Sequence, residues 1–82
     1  MLLAEQEEFM LPLSLSANGD IVTVIRVGGN AEGKKHLEDL GFVVGSRVTV
    51  ISSHQGNIIV NIKDSRLAIT SQMAEKIMVQ PA

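Results

Sequence analysis

The chain has 82 residues, 45% of them hydrophobic, no cysteine and a formal net charge of −2. Such a chain forms one globular domain that buries roughly 60–65% of its unfolded surface, and it is too apolar to stay disordered. Disulfides, thiolate metal sites and cysteine nucleophiles are excluded, and no basic excess is available to neutralise a phosphate backbone.

Residues 1–9 show no hydrophobic alternation and carry Glu5, Glu7 and Glu8. They read as an N-terminal extension, without the basic start and long apolar stretch of a signal peptide. The organised domain is expected over 10–82. No apolar run approaches the ~20 residues needed to span a bilayer, so direct membrane insertion is not expected and the simplest location is the cytoplasm. Met10, Leu11 and Leu13 are apolar enough to cover the domain or to recruit a second copy, which leaves self-association open.

Pro12 and Leu15 suggest an extended entry, and Ala17-Asn18-Gly19-Asp20 is turn chemistry. Ile21 to Val27 is a strand of high β propensity whose apolar content on both faces suggests heavy covering. Gly28-Gly29 breaks it, and Asn30 is a suitable N-cap for a helix over 31–40. On a helical wheel Gly33, Leu37 and Leu40 share one face, opposite Lys34, Lys35 and Glu38. Gly33 in a helix costs about 1 kcal/mol relative to Ala, so its place on the apolar face suggests close approach of helix to sheet.

The hydrophobic period then changes across two glycines. Gly41 stands where a helix C-cap needs a left-handed residue, and after Gly45 the residues Val48 and Val50 alternate with Arg47 and Thr49. Strands are expected over 47–52, 57–63 and 66–70, with turns at Ser53-His54-Gln55-Gly56 and Asp64-Ser65. Ser71 is expected to cap a helical turn near 71–76, and Ile77 with Val79 forms a last short strand. Valine and isoleucine number 17 against 8 leucines, and Phe9 and Phe42 are the only aromatics. The expected fold is therefore mainly β: a partly closed small barrel of about five antiparallel strands with an aliphatic core.

Several chemistries are weighed on this frame. Gly28 to Lys35 reads G-x-x-x-x-G-K after a strand and before a helix, as in a phosphate-binding loop. Lys35 occupies the position where Ser or Thr should ligate magnesium, and the hairpins supply no parallel βαβ unit. Glu32, His36 and Asp39 fall at i, i+4 and i+7 on one helix flank and could hold a divalent ion weakly; the competing reading is a solvated flank of local ion pairs. His36 and His54 are the only imidazoles, no serine sits in a nucleophile motif, and a barrel this small has little concave volume. The chain does not read as an enzyme.

The ordered segments Pro12 to Leu15, Asn18 to Asp20, Ile25 to Gly29, His36 to Phe42 and Gly45 to Val50, then Leu67 to Ile69 and Ala74 to Val79, resemble the ferrous iron transport protein A (FeoA) family. Leu37-Glu38-Asp39-Leu40-Gly41-Phe42 followed by Gly45 is the most diagnostic piece. The resemblance implies an SH3-like barrel in the bacterial cytoplasm, accessory or regulatory and without chemistry of its own. It implies docking to FeoB, the membrane ferrous iron transporter with a cytoplasmic GTPase domain, and recruitment to the inner face of the membrane. The barrel type also occurs at the C-terminus of iron-dependent repressors. No cofactor is implied as required, beyond a weak divalent metal such as Fe2+ or Zn2+. Two departures stand out: Lys34, Lys35 and His36 replace the arginines common before the leucine matching Leu37, and the tip at 53–57 is shorter than the family's proline-containing loop. Lys34, Lys35 and Arg47 are the expected contacts for an acidic partner surface, against the plainer reading of solvating charges. A metal-sensing module and a nucleic-acid-binding barrel are the competing functions, the latter opposed by the charge and by the lack of stacking aromatics.

Overall fold

The structure is a computed structural model and describes residues 10–54 and 56–82. The N-terminal extension and Gln55 of the expected turn lie outside the described residues. Six strands form one antiparallel sheet: β1 (Leu11–Pro12), β2 (Ile21–Val27), β3 (Arg47–His54), β4 (Asn57–Ile62), β5 (Ser65–Thr70) and β6 (Ile77–Pro81). Their order across the sheet is β1-β6-β2-β3-β4-β5. Helix α1 (Ala31–Asp39) joins β2 to β3, and the single turn α2 (Ser71–Ala74) joins β5 to β6. The mainly β small barrel is as expected, with one more strand than the sequence suggested.

The sheet curls because two strands carry an extra residue. Val24 pairs with Val79 and Arg26 with Met78, which leaves Ile25 over; likewise Val50 pairs with Val60 and Ser52 with Ile59, which leaves Ile51 over. A bulge bends its strand and increases the twist. In β2 it also shifts the inward phase, so Val22 and Val24 are followed by Val27 as buried residues. The strand is therefore covered on its inner face only. Ile21 stays half exposed, which corrects the expectation that both faces are covered.

The helix-to-hairpin junction is built as its glycines suggest. Asn30 caps α1, its Oδ1 accepting from the Gly33 N–H at 2.8 Å. At the other end Leu40 is the C-cap and Gly41 takes φ +111°. The Gly41 N–H donates to the Glu38 carbonyl and the Phe42 N–H to the Leu37 carbonyl, both at 3.0 Å. This pair of bonds is a Schellman motif, in which the residues at the positions of Leu37 and Phe42 are commonly apolar, and here both belong to the core. Both side chains are buried, Phe42 completely. Beyond it, Ser46 N–H closes a turn on the Val43 carbonyl, and Gly45 N–H donates to the Val24 carbonyl at 2.8 Å. The helix is thereby led straight into the β2–β3 ladder.

Four local expectations are corrected. Leu13–Leu15 is a 3-10 turn after β1, where an extended entry was expected. Gly33 does not approach the sheet: a Cβ there would meet only the Asn30 Oδ1, at 3.1 Å, so the glycine clears the cap's own side chain. Thr70, not Ser71, caps α2, its Oγ1 accepting from the Met73 N–H at 3.2 Å. Finally, β3 continues through Ser53 to His54, which pairs with Asn57.

The β4–β5 reversal is a two-residue turn, since Ile62 pairs directly with Ser65. Lys63 and Asp64 have φ +53° and +65°, the backbone of a type I′ turn made without glycine. Replacing them by Lys63→Asn with Asp64→Gly is expected to stabilise the fold by about 1 kcal/mol, because neither new residue resists positive φ. Thermal unfolding followed by circular dichroism should show a rise of roughly 4–8 °C, and an unchanged midpoint would refute the turn assignment. Phe42→Ala should cost about 3–5 kcal/mol in denaturant melts, whereas Val44→Ala, on the exposed turn beside it, should stay within about 0.5 kcal/mol of the parent.

Candidate partner-binding surface

Helix α1 is held to the barrel by few side chains. Leu37 is buried and Leu40 and Gly33 are half-buried, while Glu32, Lys34, Lys35, His36, Glu38 and Asp39 are all exposed. The local reason is composition: α1 offers only Leu37 and the following Leu40 as large apolar residues, so a narrow stripe faces inward and the rest faces solvent. The caps and the buried Leu37–Phe42 pair fix its orientation, leaving a rigid polar ridge.

The expected site residues distribute over this ridge and the adjoining sheet. Lys34 and Lys35 lie on α1. Arg47 opens β3 on the outer face of the sheet, directly opposite Thr23 of β2. The tertiary structure adds two cations that spacing along the chain could not group with them. The Lys76 side chain runs past the loop before α1, its Cδ 3.1 Å from where a Gly29 Cβ would stand. The Lys63 Cδ lies 3.8 Å from the corresponding position at Gly41, under the other end of the helix. Lysines therefore stand at both ends of α1 as well as on it. Only their distance in sequence hid this, because Lys63 and Lys76 sit in a hairpin turn and after α2.

Glu32, His36 and Asp39 are exposed on α1, and among the described residues no three His, Asp or Glu side chains converge to hold a metal ion. His54 is elsewhere, at the end of β3. It belongs to a shallow concavity of about 330 Å³ on the outer face of the hairpins, lined by Ser52, His54, Asn57, Ile59 and Ala68. That trough follows from the sheet register: Ser52, Ile59 and Ala68 are cross-strand partners in one row. The small Ala68 leaves the depression. It holds one imidazole and no carboxylate, so it offers shape and hydrogen bonding but not paired acid–base groups.

The G-x-x-x-x-G-K run is accounted for by structure alone. Gly28 N–H donates to the Lys76 carbonyl at 2.7 Å, Gly29 takes φ +98°, and Gly33 accommodates the Asn30 cap. No helix is long and apolar enough to cross a membrane among the described residues.

The FeoA domain profile matches residues 11–81. A putative Fe(2+) transport protein A of Methanocaldococcus jannaschii is 33% identical over 73 residues, which are 89% of each chain. Among solved structures, an iron uptake regulatory protein (FeoA) superposes with a TM-score of 0.83 at 29% identity, covering 89% of this chain and 97% of its own. The FeoA protein of Chlorobium tepidum gives a TM-score of 0.79 at 29% identity over 87% of this chain and 70% of that one. A manganese-dependent transcriptional repressor superposes with a TM-score of 0.81 at 24% identity, and the match spans 42% of its length; that likeness establishes the fold alone. A profile match over nearly the whole described chain, together with a relative of similar length, settles the assignment: this chain belongs to the FeoA domain family.

Proposed function

We propose that this protein is an accessory component of ferrous iron transport that acts by binding the cytoplasmic part of a FeoB-type membrane transporter. The carrying observation is the FeoA domain match over residues 11–81. The site geometry supports a binding role: α1 presents an exposed helical ridge with lysines, and the concavity lined by Ser52, His54, Asn57, Ile59 and Ala68 has no paired acid–base groups. The protein would work in the cytoplasm, reaching the membrane only through its partner. A partner can shift a transporter's conformational equilibrium only by binding one state more tightly than another. Lys34, Lys35 and Arg47, with Lys63 and Lys76 beside the helix, are the groups available to an acidic partner surface.

Co-purification of the full chain with the transporter's cytoplasmic domain, with and without guanine nucleotide, tests the reading. Retention of a stoichiometric complex is expected in at least one nucleotide state. Absence of a complex in every state would overturn it. Within such a complex, the double variant Lys34→Glu with Lys35→Glu should slow association about tenfold and flatten its salt dependence, since charges at an interface rim act mainly on the on-rate. Unchanged kinetics by surface plasmon resonance would remove these lysines from the interface.

No cofactor is required in this reading. Fe2+ or Zn2+ titrated into the protein should bind the flank of Glu32, His36 and Asp39 only in the millimolar range, as expected of exposed groups that do not converge. Imidazole NMR shifts of His36 and His54 measure it. Saturation of the His36 shift at micromolar metal would move the function toward metal sensing.

A further inference from the structure

The two edges of the sheet are unlike. At β1 the edge is Leu11–Pro12, two residues ending in a proline that has no N–H to offer. At β5 it is Ser65–Thr70, six residues that pair on one side only, with β4. This edge has no proline and no bulge, and its single charge is Arg66, so it lacks most of the devices that keep strand edges from pairing.

The direction of its backbone groups follows from the turn. In a two-residue hairpin the flanking residues form a hydrogen-bonded pair, here Ile62 and Ser65, and bonding alternates from there. The register continues without a shift to Asn57↔Thr70. Ser65, Leu67 and Ile69 therefore spend their backbone groups on β4. Arg66 and Ala68 direct N–H and C=O to the open edge, and Thr70 its N–H. Among the described residues no backbone bond is made to them from that side, and all three residues are exposed.

We propose that β5 pairs antiparallel with β5 of a second copy of this chain, centred on Ala68. Several two-fold registers set outward-bonding residues opposite one another, and the one centred on Ala68 matches the most: Arg66, Ala68 and Thr70 all find partners, against two matched pairs for a centre on Leu67 or Ile69. With Ala68 opposite Ala68 of the second copy, Arg66 falls opposite Thr70, and no like charges meet. Leu67 falls opposite Ile69, both on the inner, apolar side. The register centred on Arg66 instead sets two arginines against each other, which is unfavourable. The Ala68 centre also suits the outer face. The trough of Ser52, Ile59 and Ala68 runs up to this edge, and two alanines at the axis let the troughs of both copies run together. A two-fold axis there makes the contact isologous and closed, so it ends at a dimer. This pairing does not rest on the iron-transport reading and leaves α1 exposed on each copy.

Sedimentation equilibrium of the full chain, from micromolar to millimolar concentration, is the test. The parent is expected to show a reversible monomer–dimer equilibrium, with amide exchange at Arg66 and Ala68 slowing as concentration rises. Ala68→Pro should remain folded, because the lost N–H bonds nothing within the chain, and should stay monomeric. Should that proline disturb the strand, Ala68→Lys gives a second reading: like charges at the axis should weaken dimerisation by about a hundredfold. Mixing Ala68→Lys with Ala68→Glu should restore a mixed dimer. A parent that stays monomeric throughout, or exchange at Arg66 and Ala68 that is independent of concentration, overturns the proposal. So do Ala68→Pro and Ala68→Lys variants that dimerise like the parent, or a Lys/Glu mixture that does not associate.

Discussion

The hydrogen bond from the Phe42 N–H to the Leu37 carbonyl is the constraint on which the rest of this structure depends. It forms only because Gly41 reaches φ +111° without a Cβ to obstruct it. It ends the helix, reverses the chain and drops Phe42, the largest fully buried side chain, into the core. Burying such a ring stabilises the fold by roughly 1.5–3 kcal/mol, on the order of a fifth of what a small domain has in total. The same reversal aims residues 43–46 along β2, where Gly45 and Val24 bond. Helix placement, core filling and strand pairing are thus coupled through one turn.

A second constraint is the need to close an aliphatic core with a single sheet. Among the described residues no polar or charged residue belongs to the core, although the Ser16 Oγ is shielded from solvent without a partner, so the fold relies on covering valine and isoleucine. A flat sheet of these short strands would leave one side open. The bulges at Ile25 and Ile51 bend β2 and β3 so that the sheet folds over itself, while α2 and the 3-10 turn cover the remaining opening. The extra residues point away from the core, which is why isolated apolar side chains such as Ile51 appear on the surface. They are the consequence of curvature rather than evidence of a second apolar layer.

The division of labour between inside and outside bears on function. Most of the large apolar side chains hold the barrel, and the charged groups lie outside it, with a concentration on α1 and on the segments at its two ends. An exposed helix fixed at both caps presents those charges in a defined pattern at small entropic cost, which suits recognition. Nothing in the described core is strained or charged in the manner of a catalytic centre.

Much of this was legible in the sequence wherever the determining interaction is local. Asn30 as N-cap, Gly41 as left-handed terminator, Leu37 as the inward residue of α1 and the two hairpins after Gly45 each depend on neighbours within a few positions, and each stands in the structure as the pattern suggests. The sequence suggests Ser71 as the cap of α2 and the structure uses Thr70: both are hydroxyl residues one position apart, and only the backbone path decides which hydroxyl accepts from the Met73 N–H. The close approach assigned to Gly33 failed for a related reason: a wheel projection shows direction but not distance. Decisions between distant segments were beyond local pattern. That β6 inserts between β1 and β2, that Ile25 and Ile51 are bulged out, and that Lys63 and Lys76 come to flank α1 are consequences of sheet order and curvature. The sequence by itself determined which residues turn, cap and face inward, because those are short-range steric and hydrogen-bonding choices. Only the tertiary structure decided which strands meet and which surface charges share a face, because those depend on how the whole sheet bends to enclose its core.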